Sequence, residues 1–299
     1  MNIFSNAALP EIAFGLPFPI LCAFVAMLGA IIGSFLNVVI HRLPREESIV
    51  FPNSRCPSCG AAIKAYDNIP VISYLILRGR CRNCGTSISA RYPAVEALTA
   101  LLYALVFWRD GLSVLLPFDL VFVTALVALV FIDAEHMILP NAITYPGIIF
   151  ALVARVVIAM IAGPTAFDDL PQLMATSLGT HPLWTVSLVG AVLGALVGGG
   201  SLWLMGYLWE KLRGVEAMGL GDVKMMFMVG AYLGWRLAVL VIFFGVLSGS
   251  ITGVFVMMRR GQRDMQMLLP FGIFLGASSI VALLIGAHIV NWYALQFVP

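Results

Sequence analysis

The sequence predicts an all-α, polytopic membrane protein with about eight transmembrane helices and one cytoplasmic insert. Hydrophobic residues make up 61% of the chain and charged residues only 11%, and the mean hydropathy is +0.99. This composition is too apolar for a soluble domain. The second observation is a single extended polar region, residues 41–93, between long apolar runs. These features predict three parts: residues 1–40 with the first transmembrane helix, the insert 41–93, and a membrane core over residues 94–299.

Eight apolar runs are candidates for the helices, and their flanking charges predict an orientation. The runs cover residues 18–40, 94–108, 120–132, 138–162, 183–209, 223–235, 237–258 and 268–290. Short loops rich in Lys and Arg stay in the cytoplasm. That rule places the insert inside, together with Lys211, Arg213, Arg259, Arg260 and Arg263, and it places both termini in the periplasm. Residues 1–17 contain no Lys or Arg, so we expect the first helix to be retained rather than cleaved as a signal peptide.

Arg155 is the one basic residue well inside a run, and we expect its long side chain to reach the outer interface. Residues 163–182, which follow that run, read as an ordinary outer connection because they contain Pro and Asp residues.

Two acids stand at the ends of two unusually short runs. Residues 120–132 and 223–235 hold about 13 residues each, or ~20 Å of a hydrocarbon core of ~30 Å. Asp133 follows the first run, and Asp222 precedes the second after Gly219, Leu220 and Gly221. Both carboxylates are therefore expected ~10 Å beneath the cytoplasmic face, where they could meet across a cleft. The alternative is that Asp222 is a helix N-cap at the interface.

A pair of adjacent carboxyl groups can hold one proton between them and so act as acid and base. One member takes a proton from an attacking water, and the other donates to a peptide carbonyl. Other hydrolytic signatures, GxSxG and HExxH, and a phosphate-binding glycine loop are absent from the sequence. His136 lies three residues after Asp133, and we expect it to be a solvated loop histidine.

The insert carries two CxxC pairs, Cys56 with Cys59 and Cys81 with Cys84, each followed by glycine. Four thiolates in this spacing match a tetrahedral zinc site, which completes the prediction of a cytoplasmic zinc-binding insert. Disulfides are disfavoured on the cytoplasmic side, and two matched pairs disfavour a redox CxxC motif.

Six blocks of sequence, in one order, resemble a known family. They are GSFLNVVIHRLP at 33–44, the CxxC pairs with NIPVISY and GRCRNC, RYPAVE at 91–96, FIDAEHMILPN at 131–141, GLGDVK at 219–224 and LPFGIFLG at 269–276. The chain is similar to the bifunctional type IV prepilin peptidases, GxGD-type aspartic proteases. In that resemblance Asp133 and Asp222 match the catalytic pair. Many relatives carry glycine where this chain has Ala217, which concerns only local loop flexibility.

The resemblance implies cleavage of the basic leader of type IV prepilins and of type II secretion pseudopilins, at the cytoplasmic face of a bacterial inner membrane. It also implies N-methylation of the new N-terminus with S-adenosylmethionine, since members with the CxxC insert look like the methylating kind. The sequence contains no glycine-rich Rossmann signature, so the residues that bind this cofactor stay unassigned. The expected partners are these substrates and the lipid bilayer, and no nucleic acid.

Several alternatives remain open from the residues alone. Lys224 either holds Asp222 or reaches lipid headgroups, and Gly219 and Gly221 are supporting residues. Glu96 is a candidate for the methylation site, although an acid in a first helical turn is favourable by itself. A proton-coupled transporter with relay carboxylates, or a zinc-bearing scaffold, would also place acids near a membrane.

Overall fold

The computed structural model describes residues 12–13, 16–214, 218–260 and 270–297, and most of these residues are helical. Two short strands, β1 (Ile12–Ala13) and β2 (Leu16–Pro17), pair antiparallel ahead of the first helix. The chain divides into two compact units, Met1–Thr124 and Ala125–Pro299.

The helices of the first unit are α1 (Phe18–Arg42), α2 (Ile72–Ile76) and α3 (Arg91–Asp110), followed by α4 (Leu115–His136), which continues across the division between the units. The second unit continues with α5 (Asn141–Ala162), α6 (Leu170–Met174), α7 (Leu183–Ala195), α8 (Ser201–Arg213), α9 (Leu220–Leu233), α10 (Trp235–Arg260), α11 (Phe271–Val281) and α12 (Ala287–Phe297). Single π-helical turns, Leu196–Gly200 and Ala282–Gly286, join α7 to α8 and α11 to α12 into two long continuous helices.

The prediction of an all-α polytopic membrane protein is confirmed. Each of the eight apolar runs is mostly helical where it is described, although the run 138–162 begins before α5 and the run 223–235 extends past α9 to the first residue of α10. Six helices of the described chain are long and apolar enough to cross a membrane. The other two, α3 and α9, do not meet that criterion. With 14 residues α9 is about 21 Å long, shorter than the hydrocarbon core of a bilayer.

In the first unit, α1 and α3 pack closely because glycines remove the side chains between them. A Cβ atom on Gly29 would lie 2.8 Å from the Tyr103 Cβ, and one on Gly33 would lie 2.7 Å from the Glu96 Cα. The two glycines are four residues apart on one face of α1, the spacing that lets membrane helices approach backbone to backbone. This contact brings Glu96 against the C-terminal half of α1.

In the second unit, α9 is the central helix. Nine of its residues are buried, in an almost unbroken run to its end: Val223, Met225, Met226, Met228, Val229, Gly230, Ala231, Tyr232 and Leu233. A helix that is apolar on all sides belongs inside a bundle. Helices α5, α7, α10 and α11 pack around it. On α7 and the following π turn, Gly194 lies against the Gly230 backbone, and Gly198 lies against the Met226 carbonyl.

Arg155 does not reach the outer interface, so that expectation was wrong. Its side chain is fully buried on α5, where it forms an ion pair with Asp169 and donates to the Tyr232 carbonyl at the end of α9, 3.1 Å away. Gly234, with φ +88°, ends α9, and a Cβ there would lie 2.6 Å from Asp169 Oδ2. Residues 163–182 are therefore more than an ordinary connection, because they supply the carboxylate for a buried cation.

Removal of the cation should be costly, because it leaves a buried carboxylate without its partner. For Arg155→Met we expect a loss of about 3 to 5 kcal/mol in the free energy of unfolding. The measurement is denaturation of the purified protein in detergent micelles.

The matched control is Arg236→Met, which removes a partner from Asp168, whose side chain is 12% exposed, and which should cost less. A double variant, Arg155→Met with Asp169→Leu, should recover much of the lost stability. An Arg155→Met protein as stable as the unmodified chain would contradict the buried pairing.

Candidate active site and cysteine cluster

Asp222 lies in the first turn of α9. The N-cap is Gly219, in extended conformation, and its carbonyl accepts the Asp222 N–H at 3.1 Å, so Asp222 is the third helical residue and not the N-cap. A glycine is required at position 221 for close packing, since a Cβ atom on Gly221 would lie 2.9 Å from the Leu139 Cβ. A carboxylate in a first turn faces the positive end of the helix dipole.

Asp133 lies on α4, one turn before the helix ends at His136. The helix holds 22 residues and begins at Leu115, so the expectation of a short segment that ends at Asp133 was wrong. His136 is the last residue of the helix rather than a solvated loop residue, and its side chain is 25% exposed beside Glu135. Asp133 itself is buried, with 5% of the residue exposed.

The two carboxylates meet beside Gly272, the second residue of α11. A Cβ atom on Gly272 would lie 2.8 Å from Asp133 Oδ2 and 3.1 Å from Asp222 Oδ1. Because the space for a single methyl group beside Gly272 touches an oxygen of each acid, the two carboxyl groups are close enough to act on one substrate atom. Asp133 Oδ2 also accepts the Ile273 N–H at 3.1 Å, so the start of α11 orients this acid.

Gly272 belongs to the LPFGIFLG block, and its place in the site was not predicted from the sequence. The available signal was a glycine in the first turn of an apolar helix, just after Pro270. Such a glycine costs about 1 kcal/mol relative to alanine, so a packing or functional reason is expected for it.

Both acids line one cleft of about 270 Å³. The cleft is lined by Asp133, Met137, Ile138, Leu139, Gly219, Gly221, Asp222 and Lys224. Apart from the acids, Lys224 is the only charged side chain in that lining, and its ammonium donates to Asn141 Oδ1 at 2.8 Å and lies 4.9 Å from the centre of the Tyr145 ring. An apolar cleft with two convergent carboxyl groups suits acid and base catalysis on an uncharged bond.

The four insert cysteines form a cluster. Their sulfur atoms all lie within 4.8 Å of one another, and the Sγ atoms of Cys56 and Cys84 are 3.8 Å apart. Tetrahedral zinc with Zn–S bonds of about 2.3 Å requires S···S separations of about 3.8 Å. The Cys56 and Cys84 pair already has this separation, and the cluster could hold one zinc ion after small shifts of the wider pairs.

The two CxxC loops have the same backbone geometry. In each loop the first cysteine accepts the N–H of the glycine four residues later, Gly60 or Gly85, at 2.9 Å, and both glycines have positive φ. Hydrogen bonds from the side chain and backbone of Thr86 lower the pKa of the Cys84 thiol to about 6. A thiol that ionises readily suits a metal ligand, because zinc binds the thiolate.

Glu96 is buried in the second turn of α3 and not, as expected from the sequence, in the first turn. The Val71 N–H of the insert donates to Glu96 Oε2 at 2.7 Å, and the Ser34 side chain of α1 also hydrogen-bonds the carboxylate. Glu96 thus ties the insert to the α1 and α3 pair.

Two family models match the chain. The model of the Bacterial Peptidase A24 N-terminal domain matches residues 27–110, and that of the Type IV leader peptidase family matches residues 120–254. The first match contains the four cysteines and Glu96, and the second contains Asp133, Asp222 and Lys224.

Curated proteins named "Prepilin leader peptidase/N-methyltransferase" are similar to most of the chain. The Pseudomonas aeruginosa protein is 35% identical over 91% of this chain and 92% of its own length. The Aeromonas hydrophila protein is 36% identical over 97% and 99%. The Myxococcus xanthus protein is 40% identical over 82% of this chain, which spans 65% of that relative's length. No solved structure matches the chain.

A methyl group between the two carboxyl groups should disable the site. Gly272→Ala would place a carbon about 3 Å from an oxygen of each acid, and we expect a loss of activity of about 100-fold or more. The control is Gly249→Ala on α10, where a Cβ would make ordinary contacts of 3.5 Å and longer. Equal peptidase rates for the two variants, both shown to be folded, would contradict this arrangement.

Proposed function

Because the chain belongs to the type IV leader peptidase family, we propose that it is a membrane aspartic endopeptidase that removes the basic leader from type IV prepilins and type II secretion pseudopilins. We propose further that it N-methylates the new N-terminal residue. The observation that carries the peptidase proposal is the approach of both Asp133 and Asp222 to Gly272. The names of the relatives support both activities.

In the proposed reaction the two acids share one proton at the start. The ionised member accepts a proton from a water molecule as its oxygen attacks the scissile carbonyl carbon. The protonated member donates to the carbonyl oxygen, and a proton then passes to the leaving amine as the C–N bond breaks. The Ile273 N–H holds Asp133 in place during these transfers, since it is already bonded to Oδ2.

We propose supporting roles for three neighbours of Asp222. Gly219 caps α9, and Gly221 allows α9 to pack against Leu139, so both set the position of the acid. Lys224 lines the same cleft, but its hydrogen-bond partner is Asn141. We therefore assign it to the mouth of the cleft, where it joins α9 to the start of α5, rather than to a direct contact with Asp222.

The site is proposed to open at the cytoplasmic face of the bacterial inner membrane, with both termini in the periplasm. The charge distribution supports this orientation, because the basic loops and the insert then stay in the cytoplasm. A substrate with a basic leader and an apolar helix would present its cleavage site at that face. The lipid bilayer is then a partner of both enzyme and substrate.

For methyl transfer we propose that S-adenosylmethionine supplies the methyl group and that the insert takes part. Zinc, held by Cys56, Cys59, Cys81 and Cys84, would fold the insert rather than enter the chemistry, because all four thiolates are used as ligands and none of the coordination positions stays open. Glu96 is a positioning residue in this proposal, since it holds the insert against α3.

The transporter alternative has less support. Its relay carboxylates would serve ions moving between two faces of the membrane. Here both acids share a single cleft, and the relatives carry a peptidase name. The alternative of a zinc-bearing scaffold does not explain why the carboxyl groups of Asp133 and Asp222 both approach Gly272.

The paired-acid mechanism predicts that neither acid can replace the other. Asp133→Asn and Asp222→Asn should each abolish cleavage of a synthetic prepilin by the purified protein. The double variant should be no worse than either single variant, because residues that act as a unit are not additive. Mass spectrometry of the product measures cleavage and methylation together.

Methylation of a substrate that is already cleaved serves as the control for folding, and it should survive in these variants. A folded Asp133→Asn protein with near-normal cleavage would exclude the assignment, and Glu135 would then be the nearest acid to test.

The zinc proposal predicts that the insert folds on its metal. Cys59→Ser or Cys84→Ser should remove about one zinc per chain and make residues 41–93 sensitive to protease, because metal-binding free energy is folding free energy in such modules. We expect methylation to fall at least as much as cleavage. Cys22→Ser, on α1 outside the cluster, should keep its metal; an unmodified protein with no zinc by metal analysis would refute the proposal.

A further inference from the structure

The insert exposes a line of aliphatic side chains, although it is the polar part of the chain. Ile69, Ile72, Leu75 and Ile76, here called the aliphatic face, are 46%, 55%, 67% and 70% exposed. Three of them lie on α2 at positions i, i+3 and i+4, and therefore on one side of that helix. Four large apolar side chains within eight residues form more than the scattered exposure that is ordinary on a soluble surface.

The polar side chains of the same segment point inward. Ser73 is buried, accepts the Ile69 N–H at 3.1 Å and donates to the Tyr66 carbonyl at 3.0 Å. The Tyr74 hydroxyl donates to the Ile88 carbonyl at 3.3 Å. The hydrogen bonds thus hold α2 with its apolar side outward, which reverses the arrangement of a helix on a soluble domain.

This segment begins beside the membrane helices rather than far out in the cytoplasm. Val71, which precedes α2, donates its N–H to the buried Glu96, and Glu96 lies against Gly33 of α1. Val71 is the central residue of a strained γ-turn, with φ +60° and a 2.6 Å hydrogen bond from the Ile72 N–H to the Pro70 carbonyl. The hydrogen bond to Glu96 therefore fixes the start of α2 at the α1 and α3 pair.

A second exposed apolar pair is also fixed at the end of a membrane helix. Arg42, the last residue of α1, donates to the Ser48 and Pro52 carbonyls at 2.9 and 2.7 Å. The loop that it closes exposes Val50 and Phe51, which are 66% and 72% exposed.

We propose that the aliphatic face lies in the headgroup layer of an anionic bilayer and anchors the insert to the cytoplasmic membrane surface. The local charge favours an anionic bilayer as the partner of this face. Arg78 and Arg80 follow α2 and are exposed, and residues 69–80 contain no acid. Anionic lipids attract basic residues next to a buried apolar surface. The bilayer is also always present, since the insert joins two helices of the membrane protein.

The consequence concerns the cysteine cluster. Cys81 directly follows Arg80, and the Arg80 to Ser87 bridge continues from the segment that carries the aliphatic face. An anchored face sets how far the cysteine loops stand from the lipid surface, above which the N-terminus of a membrane-bound substrate emerges.

Photo-crosslinking tests the proposal in the full-length protein. Leu75 is replaced by photo-leucine, which keeps its size, and Ser58, an exposed residue of the first CxxC loop, is replaced in a separate control protein. Both proteins are reconstituted in vesicles of phosphatidylethanolamine and phosphatidylglycerol, irradiated, and analysed by mass spectrometry. We expect lipid adducts at position 75 and at least fivefold fewer at position 58.

Lipid charge supplies the second measurement. Exchange of phosphatidylglycerol for phosphatidylcholine should lower the adduct yield at position 75. The double variant Arg78→Gln, Arg80→Gln should give the same yield in both lipid mixtures, because each arginine is expected to strengthen binding to an anionic surface about fivefold. Equal lipid adducts at both positions, or crosslinks at position 75 to a second copy of the chain or to other residues of the insert, would overturn the proposal. Zinc content is measured in every protein, because loss of zinc reveals an unfolded insert. If the arginine variant has lost its zinc, the two lipid mixtures are compared only with the protein that carries photo-leucine at position 75 and native Arg78 and Arg80.

Discussion

Two carboxyl groups brought together inside a membrane protein are the constraint on which the second unit depends. Each acid is costly to bury, and two like charges repel each other, so the chain must hold them near the start of helices and beside a residue without a side chain. Asp222 lies in the first turn of α9, and Asp133 accepts an N–H from the start of α11. Gly272 leaves the space between them open.

The position of Asp222 depends on the whole of α9. This helix is too short to span a bilayer and is buried along most of its length, so its neighbours decide how deep it lies. Glycines on α7 allow backbone contact along its side, and Arg155 binds the carbonyl of Tyr232 at its far end. A buried ion pair is a poor source of net stability, but it specifies one arrangement because the unpaired alternative is so unfavourable.

The insert is stabilised differently from the helical part of the protein. It contains one short helix and several turns, too little apolar core for independent stability, and its four cysteines are arranged for a metal that would supply folding free energy. Its backbone is held to α3 and to the end of α1 by the side chains of Glu96 and Arg42. The exposed aliphatic side chains on α2 make sense if lipid, and not water, is their surrounding. The cysteine cluster lies in the first unit, and Asp133 and Asp222 lie in the second.

Local patterns in the sequence determined the class of the protein, the helical runs, the cysteine cluster and the two acids. Hydropathy, glycine breaks and CxxC spacing act over a few residues, so they can be read without a structure. The burial of Arg155, the contact of Glu96 with Val71 and the place of Gly272 between the acids were decided only by the tertiary structure. Ile273 and Asp133 are separated by 140 positions, and Arg155 and Tyr232 by 77. No local pattern records such pairs, because they form only when helices distant in the chain pack against each other.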